Sequence, residues 1–247
     1  MRRLSLLLLA ILLGACATVP ERTFVAPDVT PFSDNRPGRL PRGWQPFALA
    51  RHKAPTHYET TVDAAGGRVV LHARAERAAS GLKQRLDIDP TLRPRVAWEW
   101  RVMQLIEGAD NTDRHAEDAP VRLLLFFDGD RSRLPAHERA ALQLAELISG
   151  RPVPYATLMY IWSNRGPVDT VIESPYTRRI QMIVVGAGAE QLGQWKRFER
   201  DYVADYRRAF GEAPGRLIGV GILTDTDNTG AVVEAFYGDI RLQPLAR

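Results

Sequence analysis

The strongest constraint on the fold is a series of short apolar runs, each interrupted by glycine, proline or aspartate. In RPRVAWEWRVMQLI (93–106), apolar residues alternate with charged ones, which is the period-2 pattern of a half-buried strand. VRLLLFFD (121–128) is apolar on both faces, as expected of a covered central strand. Four further runs lie at 157–164, 178–185, 215–223 and 231–242. These many short strands predict a mainly β fold, an antiparallel sandwich.

Local patterns add one hairpin and two helices. Residues 57–63 and 68–75 are two strand-like runs separated by a short glycine-containing turn, which predicts a hairpin. Residues 135–150 carry leucines at helical spacing. Residues 194–214 place five aromatic side chains on one helical stripe: Trp195, Phe198, Tyr202, Tyr206 and Phe210. A stripe of this kind is typical of a packing face, so we expect both helices to be inserted in, or docked on, the sandwich.

The N-terminus has the pattern of a secretory signal peptide. Two arginines precede the apolar run Leu4–Leu13, and small residues follow it. The run is shorter than the ~20 residues that a membrane-spanning helix needs. Its end, Leu-Gly-Ala-Cys, resembles the lipobox of bacterial lipoproteins, in which the cysteine is acylated. We therefore expect a signal peptide at 1–15 and lipidation at Cys16.

Further expectations follow from that anchor and from the charge of the chain. A proline-rich tether should span 16–43, and a single domain should span 44–247. Ala17 follows the cysteine, and by resemblance to the lipoprotein sorting rule this indicates the outer membrane, with the domain facing the periplasm. Because Cys16 is the only cysteine, a disulfide or a cysteine nucleophile is excluded once it is lipidated. The formal net charge is only +4 without any run of like charge, so no nucleic-acid partner is expected.

Several motifs occur in one order along the chain: WEW (98–100), EDAPVRLLLFF (117–127), YIWS (160–163), LGQW (192–195), DYRRAFG (205–211) and DTDNTGAVVEAFYGDI (225–240). Together they resemble the bacterial domain of unknown function 3047 (DUF3047), over about 44–242. The resemblance implies a jelly-roll sandwich similar to galactose-binding-like and carbohydrate-binding modules. It implies no assigned activity and no catalytic residue.

Catalytic signatures are sparse in this sequence. His137 and Glu138 begin like the zinc motif H-E-x-x-H, but position 141 is alanine. The chain has no G-x-S-x-G elbow and no P-loop. We therefore expect no catalytic residue, no resident metal and no cofactor.

Carboxylates are the remaining candidates for chemistry. Five of them stand in loops or at strand ends: Asp110, Asp118, Asp128, Asp225 and Asp227. Three hypotheses remain for them. Aspartates commonly stabilise turns through nearby backbone amides, clustered oxygens can bind Ca²⁺, and paired carboxylates can hydrolyse glycosides. The turn hypothesis is the simplest of the three.

The stretch LTDTDNTG (223–230) sharpens the calcium hypothesis. Its spacing begins like an EF-hand loop, but position 12 would be Phe236, where a bidentate glutamate is required. We interpret the stretch instead as a hairpin loop that joins 217–224 to 232–242. A calcium site using Asp225 or Asp227 would need a distant acid that the sequence does not place.

Aromatic side chains are the usual stacking partners of sugar rings. Four of them cluster along the chain and are candidates for a ligand-binding face: Tyr155, Tyr160, Trp162 and Tyr176. Trp98 and Trp100 share the apolar side of their strand and are expected in the core.

The sequence therefore favours a lipid-anchored envelope protein that binds a glycan or another ligand without turning it over. Two alternatives remain open: a glycan-cleaving enzyme that uses paired carboxylates, and a structural partner in an envelope assembly.

Overall fold

The computed structural model describes residues 25–50 and 52–245. The predicted signal peptide and Cys16 lie outside these residues. The described part contains thirteen strands, two α-helices and a short 3-10 helix, Arg131–Arg133. The strands are β1 (Gln45–Ala48), β2 (His57–Val62), β3 (Val69–Glu76), β4 (Ala79–Ile88), β5 (Arg95–Val102), β6 (Ala119–Phe127), β7 (Ala156–Ser163), β8 (Val171–Glu173), β9 (Ile180–Ala187), β10 (Lys196–Asp201), β11 (Leu217–Asp225), β12 (Val232–Tyr237) and β13 (Arg241–Gln243). The helices are α1 (Ala136–Ser149) and α2 (Tyr202–Phe210).

The strands form two sheets, and the predicted mainly β sandwich with two helices is confirmed. The seven-stranded sheet has the order β1-β4-β11-β6-β7-β9-β8, and the six-stranded sheet has the order β10-β5-β12-β3-β2, with β13 also paired to β5. The predicted hairpin is the antiparallel pair β2–β3.

One strand pair departs from the antiparallel pattern. Strand β9 runs parallel to β7. The chain leaves β7, crosses to the edge of the sheet to form β8, and returns as β9 in the gap between them. Strand β8 runs opposite to β7 and is antiparallel to β9, so β9 runs in the same direction as β7.

The main core lies between the two sheets. Alternate residues of β6, among them Leu123 and Leu125, face Trp98 and Trp100 of β5 in this core. The other face of β6 contributes Leu124 to a second buried cluster, with Met159 and Met182 of neighbouring strands. The expectation that β6 is covered on both faces is therefore confirmed, as is the burial of Trp98 and Trp100.

The predicted helix at 194–214 is wrong in its first half. Residues 196–201 form strand β10, which pairs with β5, and Phe198 stacks on Trp98 with ring centroids 5.2 Å apart. The helix begins only after Asp201, whose side chain accepts a hydrogen bond from the Ala204 amide and caps α2. Before the cap the helical spacing is coincidental: Phe198 packs on the core side of β10, whereas Trp195, just before the strand, lies against Arg68 and Arg101.

The predicted tether is wrong for residues 25–43. Val29 and Phe32 are buried in the main core, and the Phe32 ring lies 4.9 Å from that of Trp44. The Thr30 amide donates to Gln84 of β4, and its carbonyl accepts from the Trp44 indole. Prolines keep this segment extended, but its apolar residues bind it to the sandwich. The packed domain therefore begins before the predicted boundary at Trp44.

The segment after β11 is not the predicted hairpin loop. Strand β11 lies in the seven-stranded sheet, whereas β12 lies in the six-stranded sheet. Residues 226–231 therefore connect the two layers of the sandwich. We call this segment the crossover loop.

Candidate functional site

The crossover loop brings three carboxylates together. One oxygen each from Asp118, Asp225 and Asp227 lies within 4.8 Å of the others. Asp118 comes from the segment just before β6, far from the other two in sequence. It is the distant acid that a calcium site would need. We call Asp118, Asp225, Asp227 and the side chains that contact them the crossover cluster.

Arg122 is the central cation of the crossover cluster. Its side chain is 1% exposed, and it donates to both oxygens of Asp225, each at 3.0 Å. It also donates to Glu117 at 2.5 Å. Strand β6 and strand β11 are adjacent, so the bidentate contact reinforces a central pair of the sheet.

Two carboxylates, Asp225 and Glu117, share this single guanidinium, and the pKa of Asp225 is raised. Burial raises the pKa of Asp225 to about 7, because desolvation outweighs the attraction of Arg122, and Glu117 and Asp118 raise it further. Burial also opposes the charge on Arg122, but the two carboxylates outweigh it and raise its pKa, so the guanidinium stays charged.

The other two acids hold the crossover loop in place. Asp118 accepts hydrogen bonds from the Asn228 amide at 3.3 Å, and from the Thr229 amide and hydroxyl at 2.7 and 2.8 Å. Asp227 forms an ion pair with Lys53 at 2.5 Å. Each acid already contacts a donor or a cation of the protein. The geometry therefore supports a structural clamp made of long-range contacts, and differs from the local turn contacts that the turn hypothesis assigns to these aspartates.

Asp110 and Asp128 lie apart from this cluster. Asp110 accepts from the amide and hydroxyl of Thr112, and these bonds lower its pKa to about 2, with Arg165 adding to the effect. Asp128 accepts from the adjacent Gly129 amide. Both contacts are the local turn interactions that aspartate side chains favour.

Three of the four aromatic candidates are removed from the ligand-binding face by burial. Tyr155, Tyr160 and Trp162 are at most 5% exposed, so none offers a ring for a sugar to stack on. Tyr160 donates instead to the buried Asp205 of α2 at 2.9 Å. Tyr176 is 52% exposed, but Arg114 lies over its ring at 5.5 Å. Alternation along β7 could not reveal this, because β7 is buried on both faces.

A pocket of about 190 Å³ opens on the outer face of the six-stranded sheet. Seven residues line it: Arg68, Ala97, Trp98, Glu99, Arg197, Asp239 and Arg241. We call it the arginine pocket. The sequence analysis singled out none of these residues as a site.

Strand β5 provides the floor of the arginine pocket. Because Trp98 faces the core, Ala97 and Glu99 on either side of it face outward. Strand β10 places Arg197 opposite Glu99, and β13 places Arg241 opposite Ala97. The small side chain of Ala97 leaves open the space between these two arginines.

The acids of the arginine pocket are held by neighbouring groups. Glu99 forms an ion pair with Arg68. Asp239 accepts from the amide and hydroxyl of Ser33 at 3.0 and 2.8 Å, and lies 3.4 Å from Arg241. These contacts hold both carboxylates in position at the edge of the pocket.

Trp195 orders the rim of the arginine pocket. The guanidinium of Arg68 lies 4.5 Å from the centre of the Trp195 ring, and that of Arg101 lies 5.2 Å from it. The indole donates to Asp63 at 2.9 Å. A cation held over an indole in this way loses little further freedom on binding a ligand. Arg68 is therefore a pre-organised wall of the pocket.

Comparison with known proteins identifies a family. A family model described as "Protein of unknown function (DUF3047)" matches residues 42–241. The match confirms the resemblance carried by the sequence motifs. No curated protein matches the chain.

Several solved structures share a distant likeness with the chain. The xyloglucanase domain of NopAA from Sinorhizobium fredii, in complex with cellobiose, is 6% identical, with 83% of this chain and 96% of that one covered and a TM-score of 0.42. A β-1,2-glucanase from Parabacteroides distasonis is 11% identical, with 90% and 26% covered and a TM-score of 0.40. SGBP-B from a xyloglucan utilization locus in Bacteroides uniformis is 14% identical, with 88% and 49% covered and a TM-score of 0.36.

This chain therefore spans about a quarter of the glucanase and about half of SGBP-B. The TM-scores are too low for these likenesses to carry an argument about function. Within the described residues, no helix combines the length and the apolar character that crossing a membrane requires.

Proposed function

The chain belongs to the DUF3047 family, and we propose that it is a lipid-anchored protein of the cell envelope that binds a glycan in the arginine pocket without cleaving it. The arginine pocket carries this proposal. Its wall and rim side chains are polar and largely fixed by neighbours, which suits the directional hydrogen bonds of a sugar. In the crossover cluster, in contrast, each of the three acids already contacts a donor or a cation of the protein, and only Oδ1 of Asp227 among their buried oxygens lacks a hydrogen-bond partner.

The state of the pocket acids supports binding without hydrolysis. A glycosidase needs one carboxyl group that keeps its proton and donates it to the leaving oxygen. Glu99 and Asp239 are the acids that line the pocket, and both contact guanidinium groups. Arg68 and the Ser33 hydroxyl therefore occupy oxygens of these two carboxylates, which leaves neither acid free to face a glycosidic bond as half of a catalytic pair.

Ala97→Phe tests the location of this site. The larger side chain would fill the floor of the pocket, so we expect the variant to lose glycan binding. Ala145→Phe is the matched control, because Ala145 is exposed on α1. The full chain, purified in detergent, is screened on a glycan array, and every hit is incubated and analysed for shorter products by mass spectrometry.

The outcomes of this screen separate the alternatives. Binding that survives Ala97→Phe would place the ligand elsewhere. Shortened products would replace the binding proposal with the enzyme alternative. An array without any hit would favour the structural partner. Unchanged thermal unfolding of Ala97→Phe shows that a loss of binding is not a loss of fold.

The anchoring part of the proposal rests on the lipobox-like sequence at Cys16. Acyl chains contribute ~0.8 kcal/mol for each buried CH₂ group, so two or three chains hold a protein firmly on one leaflet. We propose that the anchor lies in the outer membrane, with the domain facing the periplasm. Cys16→Ser should release the protein from the membrane fraction or leave an unprocessed precursor. A mature-sized Cys16→Ser product that still fractionates with membranes would overturn the anchor.

A further inference from the structure

We propose that the arginine pocket selects glycans that carry a carboxylate, the uronate class of sugars; this inference rests on the proposed function and narrows it. The lining of the pocket is basic. Three arginines, Arg68, Arg197 and Arg241, face two acids, Glu99 and Asp239. The lining therefore carries one positive charge in excess of its acids.

One of the three arginines in the lining is unmatched. Arg68 is paired with Glu99, and Arg241 lies beside Asp239. Arg197 is exposed and forms no ion pair or side-chain hydrogen bond with the described residues. Its neighbour across the strands, Glu99, is already engaged by Arg68. Arg197 is therefore the cation of the pocket that is available to pair with an anionic group of a ligand.

A carboxylate fits beside Arg197 better than a phosphate does. A guanidinium presents a planar fork of donors that matches the two oxygens of a carboxylate. A carboxylate brings one negative charge, which equals the excess in the lining. A phosphate monoester brings roughly 1.5 to 2 negative charges at neutral pH, and the surplus would face Glu99 and Asp239. The charge balance therefore favours a carboxylate over a phosphate.

Neutral sugars would bind this pocket less tightly than uronates. A neutral hydroxyl can accept one hydrogen bond from Arg197, but it leaves the positive charge without a counter-ion. A carboxylate instead accepts two parallel hydrogen bonds from the guanidinium fork and supplies the missing counter-charge. The carboxylate therefore supplies the discrimination, and the ring hydroxyls contact the remaining polar groups of the pocket.

The experiment compares polysaccharides that differ only at the carboxyl group. Polygalacturonate, alginate and glucuronoxylan are each prepared intact and after chemical reduction of the carboxylates to primary alcohols. A phosphomannan supplies the phosphate arm. The full chain in detergent is titrated with each polymer by calorimetry at low and at moderate salt.

We expect at least one intact uronate polymer to bind ten-fold or more tightly than its reduced form, with affinity falling as salt rises. Arg197→Gln should abolish that difference, and Arg197→Lys, which keeps the charge without the fork, should retain part of it. Arg207→Gln is the matched control, because Arg207 is an exposed arginine of α2 outside the pocket. Thermal unfolding of each variant shows whether it is folded.

Each of the other outcomes overturns a stated part of the proposal. Equal binding of the intact and reduced polymers keeps the glycan-binding function and overturns the carboxylate inference. Binding of the phosphomannan alone also overturns the inference. A preference for uronates that persists in Arg197→Gln overturns the role of the arginine pocket. Binding of none of the polymers, intact or reduced, overturns the inference, whereas the proposed function is overturned only if the glycan array also gives no hit.

Discussion

Two groups of arginines and acids in this molecule use the same residue types in opposite ways. In the crossover cluster, Arg122 is almost fully buried and its donors are occupied by Asp225 and Glu117. In the arginine pocket, Arg197 is exposed and has no partner among the described side chains. The buried group locks two strands and the crossover loop together, whereas the exposed group leaves one charge unmatched at the surface. The same residue types therefore differ in whether the fold itself supplies the counter-charge.

The largest expected effect is a loss of stability at the buried arginine. Arg122→Ala leaves Asp225 and Glu117 as buried carboxylates without their cation. Breaking a buried ion pair in this way costs ~3–5 kcal/mol. We expect that loss in the free energy of unfolding, measured by urea denaturation.

Arg197→Ala is the matched control for that loss. As a surface residue without a partner, it should change the free energy of unfolding by less than ~0.5 kcal/mol. Equal effects of the two substitutions would contradict the distinction between a structural and a ligand-facing arginine.

The stability of the protein should depend on pH through Asp225 of the crossover cluster. The pKa of Asp225 is raised by burial to about 7 in the folded protein, against an ordinary value of 3.8. A raised carboxyl pKa means that the folded state holds the proton more tightly than the unfolded state. Its stabilising contribution is therefore complete at low pH and is lost as the pH rises through 7.

The measurement compares the native sequence with Asp225→Asn between pH 5 and pH 8. Over this window the native sequence should lose stability relative to the variant by on the order of 2 kcal/mol, because asparagine does not titrate. Burial lowers the pKa of His72, which gives a slope of the opposite sign, but both proteins share it. Parallel curves would show that Asp225 is ionised throughout the window.

A smaller effect is expected where Asp118 holds the crossover loop. Asp118→Ala removes the acceptor of the Asn228 and Thr229 amides. Unpaired partly buried amides cost ~1–3 kcal/mol in total stability, and Asp118→Asn, which retains one acceptor oxygen, should cost less. Hydrogen exchange at residues 228–229 provides the local readout. Unchanged protection in both variants would show that the loop is held by other contacts.

Much of the fold could be predicted, because strand alternation is a local property of the sequence. The pattern around Trp98 and Trp100 places β5 and its inner face correctly. Strand β4 was missed, although it lies between β1 and β11 in the seven-stranded sheet. Its sequence, ASGLKQRLDI, mixes charged residues with a glycine. Gly81 is required there, because an added Cβ would lie 2.2 Å from the Ile222 carbonyl oxygen of the adjacent strand.

The site was less accessible to sequence reasoning, for a physical reason. Aspartates attract attention because they cluster along the chain, and Asp118 and Asp225 do meet in the structure, but as a clamp. The arginine pocket is assembled from β5, β10, β13 and Arg68, which come from separate segments. No local spacing connects Arg197 to Arg241. Only the pairing of both neighbouring strands with β5 brings them together.

The smallest expected effect is that of calcium on the crossover cluster. Ca²⁺ takes six to eight oxygen ligands, whereas Asp225 is occupied by Arg122, Asp227 by Lys53 and Asp118 by the loop amides. A bound ion at a hundredfold excess over its dissociation constant would stabilise the folded state by about 2.7 kcal/mol. We expect no shift in thermal unfolding between EDTA and millimolar Ca²⁺, for the native sequence or for Asp227→Asn. A rise of several degrees that disappears in Asp227→Asn would show that the cluster exchanges Lys53 for a metal ion. The buried group would then be a ligand site as well, and the contrast with the arginine pocket would fail.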